Sequence, residues 1–196
     1  SGYLYKVDFI NNNFDIYNIT GDNFPNGNIS SISIGGSNDT LLVTFSNYGI
    51  PSLWLTTNGG EEWDNKDGNL PDMPIRSSLF HPESSLQALI ATEIGVWGTA
   101  NIIESNTSWL PYTNGLANVR VDMLKMRNED NLVLASTHGR GQFYGIYDLL
   151  DEYIVGDINN DNELNVLDVV LIVNIILDES FNTNADLNND TLINVL

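Results

Sequence analysis

Between Asp157 and Asp168 the run DINNDNELNVLD places an oxygen-bearing side chain at almost every second position. Asp157, Asn159, Asp161, Glu163, Asn165 and Asp168 stand at positions 1, 3, 5, 7, 9 and 12 of a twelve-residue loop. Ca²⁺ takes about 6–8 oxygens at about 2.3–2.6 Å, so a chain that wraps the ion must turn alternate residues inward. Position 7 then supplies a backbone carbonyl and position 12 a carboxylate. Position 6, where glycine usually makes the sharp turn, is Asn162, one of the few other residues that enters the left-handed region cheaply. The pattern returns 29 residues later, where Asp186, Asn188 and Asp190 repeat Asp157, Asn159 and Asp161, and INVL repeats LNVL. The first loop is expected to hold calcium. The second is expected to bind weakly or not at all, because the chain stops at Leu196, its position 11, and Thr191 stands where Asn162 does. The plainer alternative is an acidic turn in which Asp168 lies in the first turn of a helix and favours its macrodipole.

The element behind the loop is an apolar run. Val166 to Leu177 is apolar but for Asp168 and Asn174. About 20 residues are needed to cross a bilayer, so the run is not a membrane span. A helix apolar on most sides needs cover on several of them.

Charge narrows the partners. Seven basic residues against 26 acidic ones give −19, and no Lys or Arg follows Arg140. An acidic surface repels phosphate backbones and anionic membranes, which excludes nucleic-acid binding, and attracts divalent cations. The absence of cysteine excludes disulfides, zinc–thiolate sites and thiol nucleophiles. The opening YLYKVDF reads as a strand rather than a leader, so a mature or internal piece of a longer secreted protein is expected.

The first three quarters of the chain repeat. After two short strands at 3–9 and 14–20, Ile29, Ile75 and Val119 each open an apolar strand, 46 and 44 residues apart. Leu41–Thr44, Ala88–Ala91 and Leu132–Ala135 form a second set, and Gly49, Gly95 and Gly139 a third. Trp54, Trp97 and Phe143 follow the glycines. Repeats of about 40–50 residues made of several strands point to propeller blades, each burying its faces against its neighbours. A β-sandwich has no reason to repeat in this register. The third repeat, ending near Tyr147, is expected to lack its outer strand. A closed propeller takes about 4–8 blades. Three repeats plus two opening strands are therefore expected to be the end of a longer protein rather than a small closed ring.

Two resemblances follow from these residues. The tandem loops from Gly156 to Leu196 resemble the type I dockerin family. That resemblance implies calcium at Asp157, Asn159, Asp161, Glu163, Asn165 and Asp168, a second site at Asp186, Asn188 and Asp190, and a cohesin-type protein module as partner. Thr56-x-Asn58-x-Gly60-x-x-Trp63 resembles the Asp-box turn of sialidase-type propellers, with Thr for Ser, Asn for Asp and Glu62 for Thr. THGRGQF, from Thr137 to Phe143, is similar to C-terminal blades of xyloglucanase-like and sortilin-type propellers of secreted bacterial proteins. Physically, Asn58 is expected to bond its own turn backbone, Gly60 to supply a positive φ and Trp63 to pack the outer strand.

Candidate chemistry in the repeats is sparse. Glycoside hydrolysis needs two carboxylates about 5–10 Å apart. Glu93, Asp122 and Asp72 are available, but nothing in their spacing selects a pair. Both Glu93 and Asp122 are expected to be solvated. His138, beside Gly139-Arg140-Gly141, has no Ser or Cys nucleophile placed with it, and His81 before Pro82 is expected in a turn without a role. Trp54, Trp97 and Trp109 could stack sugars, though aromatics at blade period fit packing between blades better.

The expected architecture is mainly β: about three four-stranded antiparallel β-propeller blades over 1–147, a linker over 148–155, and a small α, dockerin-like module over 156–196. The expected role is a secreted, calcium-binding attachment protein, extracellular or at a bacterial cell surface, whose tail tethers a propeller to a cohesin-type partner. The alternative is the C-terminal part of an extracellular glycoside hydrolase acting on polysaccharide, for which the chain holds no complete catalytic site.

Overall fold

The computed structural model describes residues 2–10, 13–112, 115–116, 118–149, 156–159, 164–178, 185 and 193. The chain divides into two compact units, Ser1–Leu149 and Leu150–Leu196.

The first unit is β throughout. A hairpin of β1 (Tyr5–Ile10) and β2 (Asn13–Asn18) precedes three antiparallel sheets, each laid down in chain order. Sheet one is β3 (Ile29–Ile34), β4 (Leu41–Phe45), β5 (Leu53–Thr56) and β6 (Asp64–Asn65). Sheet two is β7 (Ile75–His81), β8 (Ser84–Thr92), β9 (Gly95–Thr99) and β10 (Leu110–Tyr112). Sheet three is β11 (Val121–Arg127), β12 (Leu132–Thr137) and β13 (Gln142–Ile146). The first strands of the three sheets, β3, β7 and β11, start within two residues of the expected 46/44 period, and the third sheet has three strands among the described residues, as the missing outer turn implied.

Packing follows from strands apolar on both faces. β4 and β5 are buried along their whole length, which requires cover on each side. Leu42, Leu53 and Leu55 of sheet one close against Ile75, Ala88, Ile90, Ile102 and Trp109 of sheet two. Val43, Phe45, Trp54 and Trp63 enclose Leu4 at the base of the β1–β2 hairpin. Neighbouring inner strands meet through serines. Ser30 Oγ donates to the Ile75 carbonyl at 2.5 Å, Ser33 Oγ to the Ser78 carbonyl at 2.7 Å, and Ser77 Oγ accepts the Leu124 N–H at 3.2 Å. Successive meander sheets, face to face and joined along their first strands, are β-propeller blades.

The turn between β5 and β6 closes on its own side chains. Thr56 Oγ1 donates to Asn58 Oδ1 at 2.8 Å and accepts the Gly60 N–H at 3.0 Å, and Asn58 Oδ1 accepts the Glu62 N–H at 3.0 Å. Gly59 and Gly60 have φ of +74° and +95°, a region costly for any residue with a Cβ. Trp63, the residue after this turn, is buried.

His81 departs from its expectation. It ends β7, is buried, and takes the Glu83 N–H on Nδ1 at 3.1 Å, leaving Nε2 to donate to the Tyr147 carbonyl at 3.0 Å. It is a staple from sheet two to the end of sheet three. A histidine before proline looked like a turn because the strand runs one residue further than the apolar pattern.

In the second unit, α1 (Val166–Leu177) occupies the apolar run. Asn165 is its N-cap, and Asp168 closes a capping box by accepting the Asn165 N–H at 3.0 Å. No described helix is long and apolar enough to cross a membrane.

Candidate functional site

Each inner strand is broken by one bulge at the same level. The pairing skips Ser30 between Ile29 and Ser31, Arg76 between Ile75 and Ser77, and Asp122 between Val121 and Met123. The three bulged residues are 46 residues apart. A bulge opposes two residues to one and re-aims the extra side chain. In sheets two and three it turns Arg76 and Asp122 out of the strand alternation at the end where β8–β9 and β12–β13 turn.

Those turns bring the remaining groups. Arg76 forks onto Glu93, with Nε at 2.9 Å from Oε1 and Nη2 bonded to the same oxygen, and its Nε lies 3.8 Å from Asp122 Oδ1. Arg120 Nε donates to Asp122 Oδ1 at 2.6 Å, and His138 Nδ1 is 3.5 Å from Asp122 Oδ2. Arg76 therefore joins Glu93 and Asp122, and Asp122 joins His138, on the seam between sheets two and three, a chain that sequence spacing could not connect. Glu93 and Asp122 are partly buried and ion-paired rather than solvated, and Arg76 sits between them. Arginine engages one oxygen of each carboxylate, Oε1 of Glu93 and Oδ1 of Asp122.

Asp72 lies at the same end, one seam away. Its Oδ1 accepts the Gly49 N–H at 2.7 Å on the wall of a cleft of about 300 Å³ lined by Gly49, Pro51, Asp67, Leu70 and Met73, among others. Asp67 accepts the N–H groups of Ser52 and Leu53 at 2.8–3.0 Å. Burial pushes its carboxyl above the usual value despite those bonds. Trp54 and Trp109 are buried, and Trp97 is partly buried against the core of sheets one and two, so the three form no exposed platform.

The second group of functional candidates is the acidic loop. Asp157, Asn159, Asn165 and Asp168 are described; Asp161, Glu163, Asp186, Asn188 and Asp190 lie outside the described residues. Asp157 is 3% and Asp168 2% exposed. Asp168 Oδ1 accepts the N–H groups of Ile158 at 2.8 Å and Asn159 at 3.4 Å, while Oδ2 accepts that of Asn165. The Asn165 N–H first, then those of Ile158 and Asn159, hold the Asp168 carboxyl below its ordinary range. The loop thus folds back so that its residues 2 and 3 meet residue 12. A carboxylate offers about four lone-pair directions. Three N–H bonds leave one for a cation, and among the described residues no group of three or more acidic, histidine or cysteine side chains gathers to hold a metal ion.

No family model matches the chain, and no curated protein matches it. Among solved structures it is similar to the Cps50 (Swd1) β-propeller domain of Myceliophteria thermophila, at 16% identity and a TM-score of 0.41, over 56% of this chain and 35% of that one. It is similar to a GH74 enzyme of Niastella koreensis at 17% identity and a TM-score of 0.38, over 67% of this chain and 22% of that one. A third is the extracellular domain of a one-component system from B. thetaiotaomicron, at 22% identity and a TM-score of 0.41, over 70% and 19%. The chain spans about a third or less of the length of each.

Proposed function

We propose that the protein is a secreted attachment protein, in which a calcium-binding, dockerin-like loop and helix tether β-propeller blades to a cohesin-type partner outside the cell. The observation that carries the reading is the pair of covered carboxylates, Asp157 and Asp168, at the first and last positions of one twelve-residue loop. Buried charges are hydrogen-bonded, paired or coordinate metals. Asn159 and Asn165 supply further oxygens, and Asp161 and Glu163 complete the spacing a calcium loop needs. The helix that leaves this loop exposes Val166, Val170, Val173 and Leu177, spaced to share one face, as a helix that docks does.

The test is calorimetric titration of calcium into the 196-residue chain and into an Asp157→Ala, Asp168→Ala double variant. One site lost in the variant, together with calcium-dependent capture of a cohesin module, supports the proposal. No heat at millimolar calcium in the parent chain ends it.

A further inference from the structure

Two backbone groups fix the protonation state of His81. Its Nδ1 faces the Glu83 N–H at 3.1 Å, and its Nε2 faces the Tyr147 carbonyl at 3.0 Å. An N–H needs an acceptor and a carbonyl needs a donor, so the ring is neutral and carries its proton on Nε2. An imidazolium donates from both nitrogens. It would set Nδ1–H against the Glu83 N–H and leave a charge on a side chain only 2% exposed.

The group held by that ring is the end of sheet three. Tyr147 directly follows β13, its N–H donates to the Asn131 carbonyl at 2.9 Å, and its ring stands edge-on to His81 with centroids 4.8 Å apart. The Tyr147 hydroxyl is buried and has no protein partner among the described residues, a cost carried by the closed arrangement. Asp148 and Leu149 then lead, in sequence, to the second unit.

Little around the ring could hold a cation in place. Glu83 belongs to the ring's own turn, and Asp148 follows Tyr147 and acts on Tyr112, whose ring meets that of Tyr147. Both carboxylates belong to exposed residues. Burial keeps the Tyr112 and Tyr147 phenols above their usual value, so neither is charged at neutral or acid pH. The cleft of about 380 Å³ that His81 also lines, with Ser33, Leu79, Phe80, Met126 and Asn128 among others, holds no second titratable side chain among the described residues.

We infer that His81 is an acid-sensitive latch on the segment that leaves sheet three. A solvent proton taken up on Nδ1 drives the ring out to water, the bond to the Tyr147 carbonyl breaks, and Tyr147 to Leu149 lift away while the sheets keep their ladders. The sign follows from the state that binds. The neutral ring holds Tyr147, so the hold is full at higher pH and is lost as pH falls.

The test is NMR on the full 196-residue chain from about pH 7.5 to about pH 5, a span in which imidazole titrates. Ring nitrogen shifts read the protonation of His81, and amide exchange, corrected for its intrinsic pH dependence, reads the hold on Tyr147. A neutral ring protonated on Nε2 is expected at the upper end. Protection of the Tyr147 amide should then fall about tenfold or more with the same midpoint as the ring, while Leu89 and Ile90 of β8 stay protected. His81→Gln, which cannot charge, should abolish the dependence, and His138→Gln should keep it. A neutral ring protonated on Nδ1 overturns the inference, as does a ring that never titrates in this span or a Tyr147 amide that stays protected while it does. Loss of β8 protection in step with Tyr147 overturns it too, because acid would then be unfolding the sheet. So does a dependence that disappears with His138.

Discussion

The Ile158 N–H donates to Asp168 Oδ1 at 2.8 Å, joining the second residue of the acidic loop to its twelfth. The bond makes Asp168 both the clasp of the loop and the capping-box partner of Asn165 at the start of α1, so its truncation should disturb helix order and, on the proposed function, calcium affinity. Asp168→Ala is expected to weaken calcium at least about tenfold and to lose the dispersed amide resonances of Val166–Leu177. Asp168→Asn, which keeps one acceptor, should retain the helix and lose most of the calcium. Calorimetry and a two-dimensional amide spectrum separate the two.

Acid should open this loop from one direction only. The folded-state pKa of Asp168 is depressed, so its contribution is present above the ordinary value of 3.8 and is lost as pH falls through the lower folded value. The amide signals of Ile158, Asn159 and Asn165 should hold steady down to about pH 4 and move below it. Movement of all three at neutral pH would refute the assignment.

Asp67 has the opposite sign. Its folded pKa is raised by burial, so its contribution is greatest when it is protonated, below 3.8, and falls as pH rises through the folded value. Asp67→Asn keeps an oxygen for the Ser52 and Leu53 amides and removes the charge. The variant is expected to melt about 2 °C above the parent at pH 7, with the gap closing in acid. A variant less stable at every pH would mean that the second oxygen matters more than the charge.

Arg76 holds Glu93 and Asp122 across a seam, and all three are partly buried. Arg76→Ala leaves two carboxylates facing each other and should cost about 1–3 kcal/mol, more than a surface ion pair. Because the pair is partly shielded, most of the loss should persist in 0.5 M salt, which leaves a Debye length of only about 4–5 Å. A double-mutant cycle with Glu93→Gln measures the coupling, and a value near zero would remove the seam from the account.

Trp109→Phe keeps most of the ring and deletes the donor to the Lys66 carbonyl. The expected loss is about 1–2 kcal/mol in a denaturant titration. Trp63→Phe, which deletes the donor to the Ile19 carbonyl, should lose a similar amount and, in addition, loosen the base of the β1–β2 hairpin, raising exchange at Leu4 and Ile19.

The repeating strands were legible because burial imposes them. A blade covered on both faces must be apolar along β4, β5 and β8, and its tight turns need glycine, so Gly49, Gly95 and Gly139 all have positive φ. The bulges were not legible. Ser30, Arg76 and Asp122 keep the period but differ in chemistry, and a bulge is a property of backbone pairing rather than of residue type. Glu93 and Asp122 were visible as single residues, yet their common partner Arg76 was not, because it reaches Asp122 across the boundary between two sheets. At the acidic loop the helix and its cap stand where the apolar run and Asn165 placed them, because capping is local in sequence, while Asp161 and Glu163 lie outside the described residues.

The serines between inner strands set how the blades would come apart. Beside the apolar core that sheets one and two share, hydroxyls of Ser30, Ser31, Ser33 and Ser77 join β3 to β7 and β7 to β11, while each sheet keeps its own ladder. Under load, such a molecule yields at the joints first. Each detached sheet then unravels separately and releases on the order of 150 Å of chain per repeat. A stack of sheets built this way lengthens in steps under tension instead of failing at once.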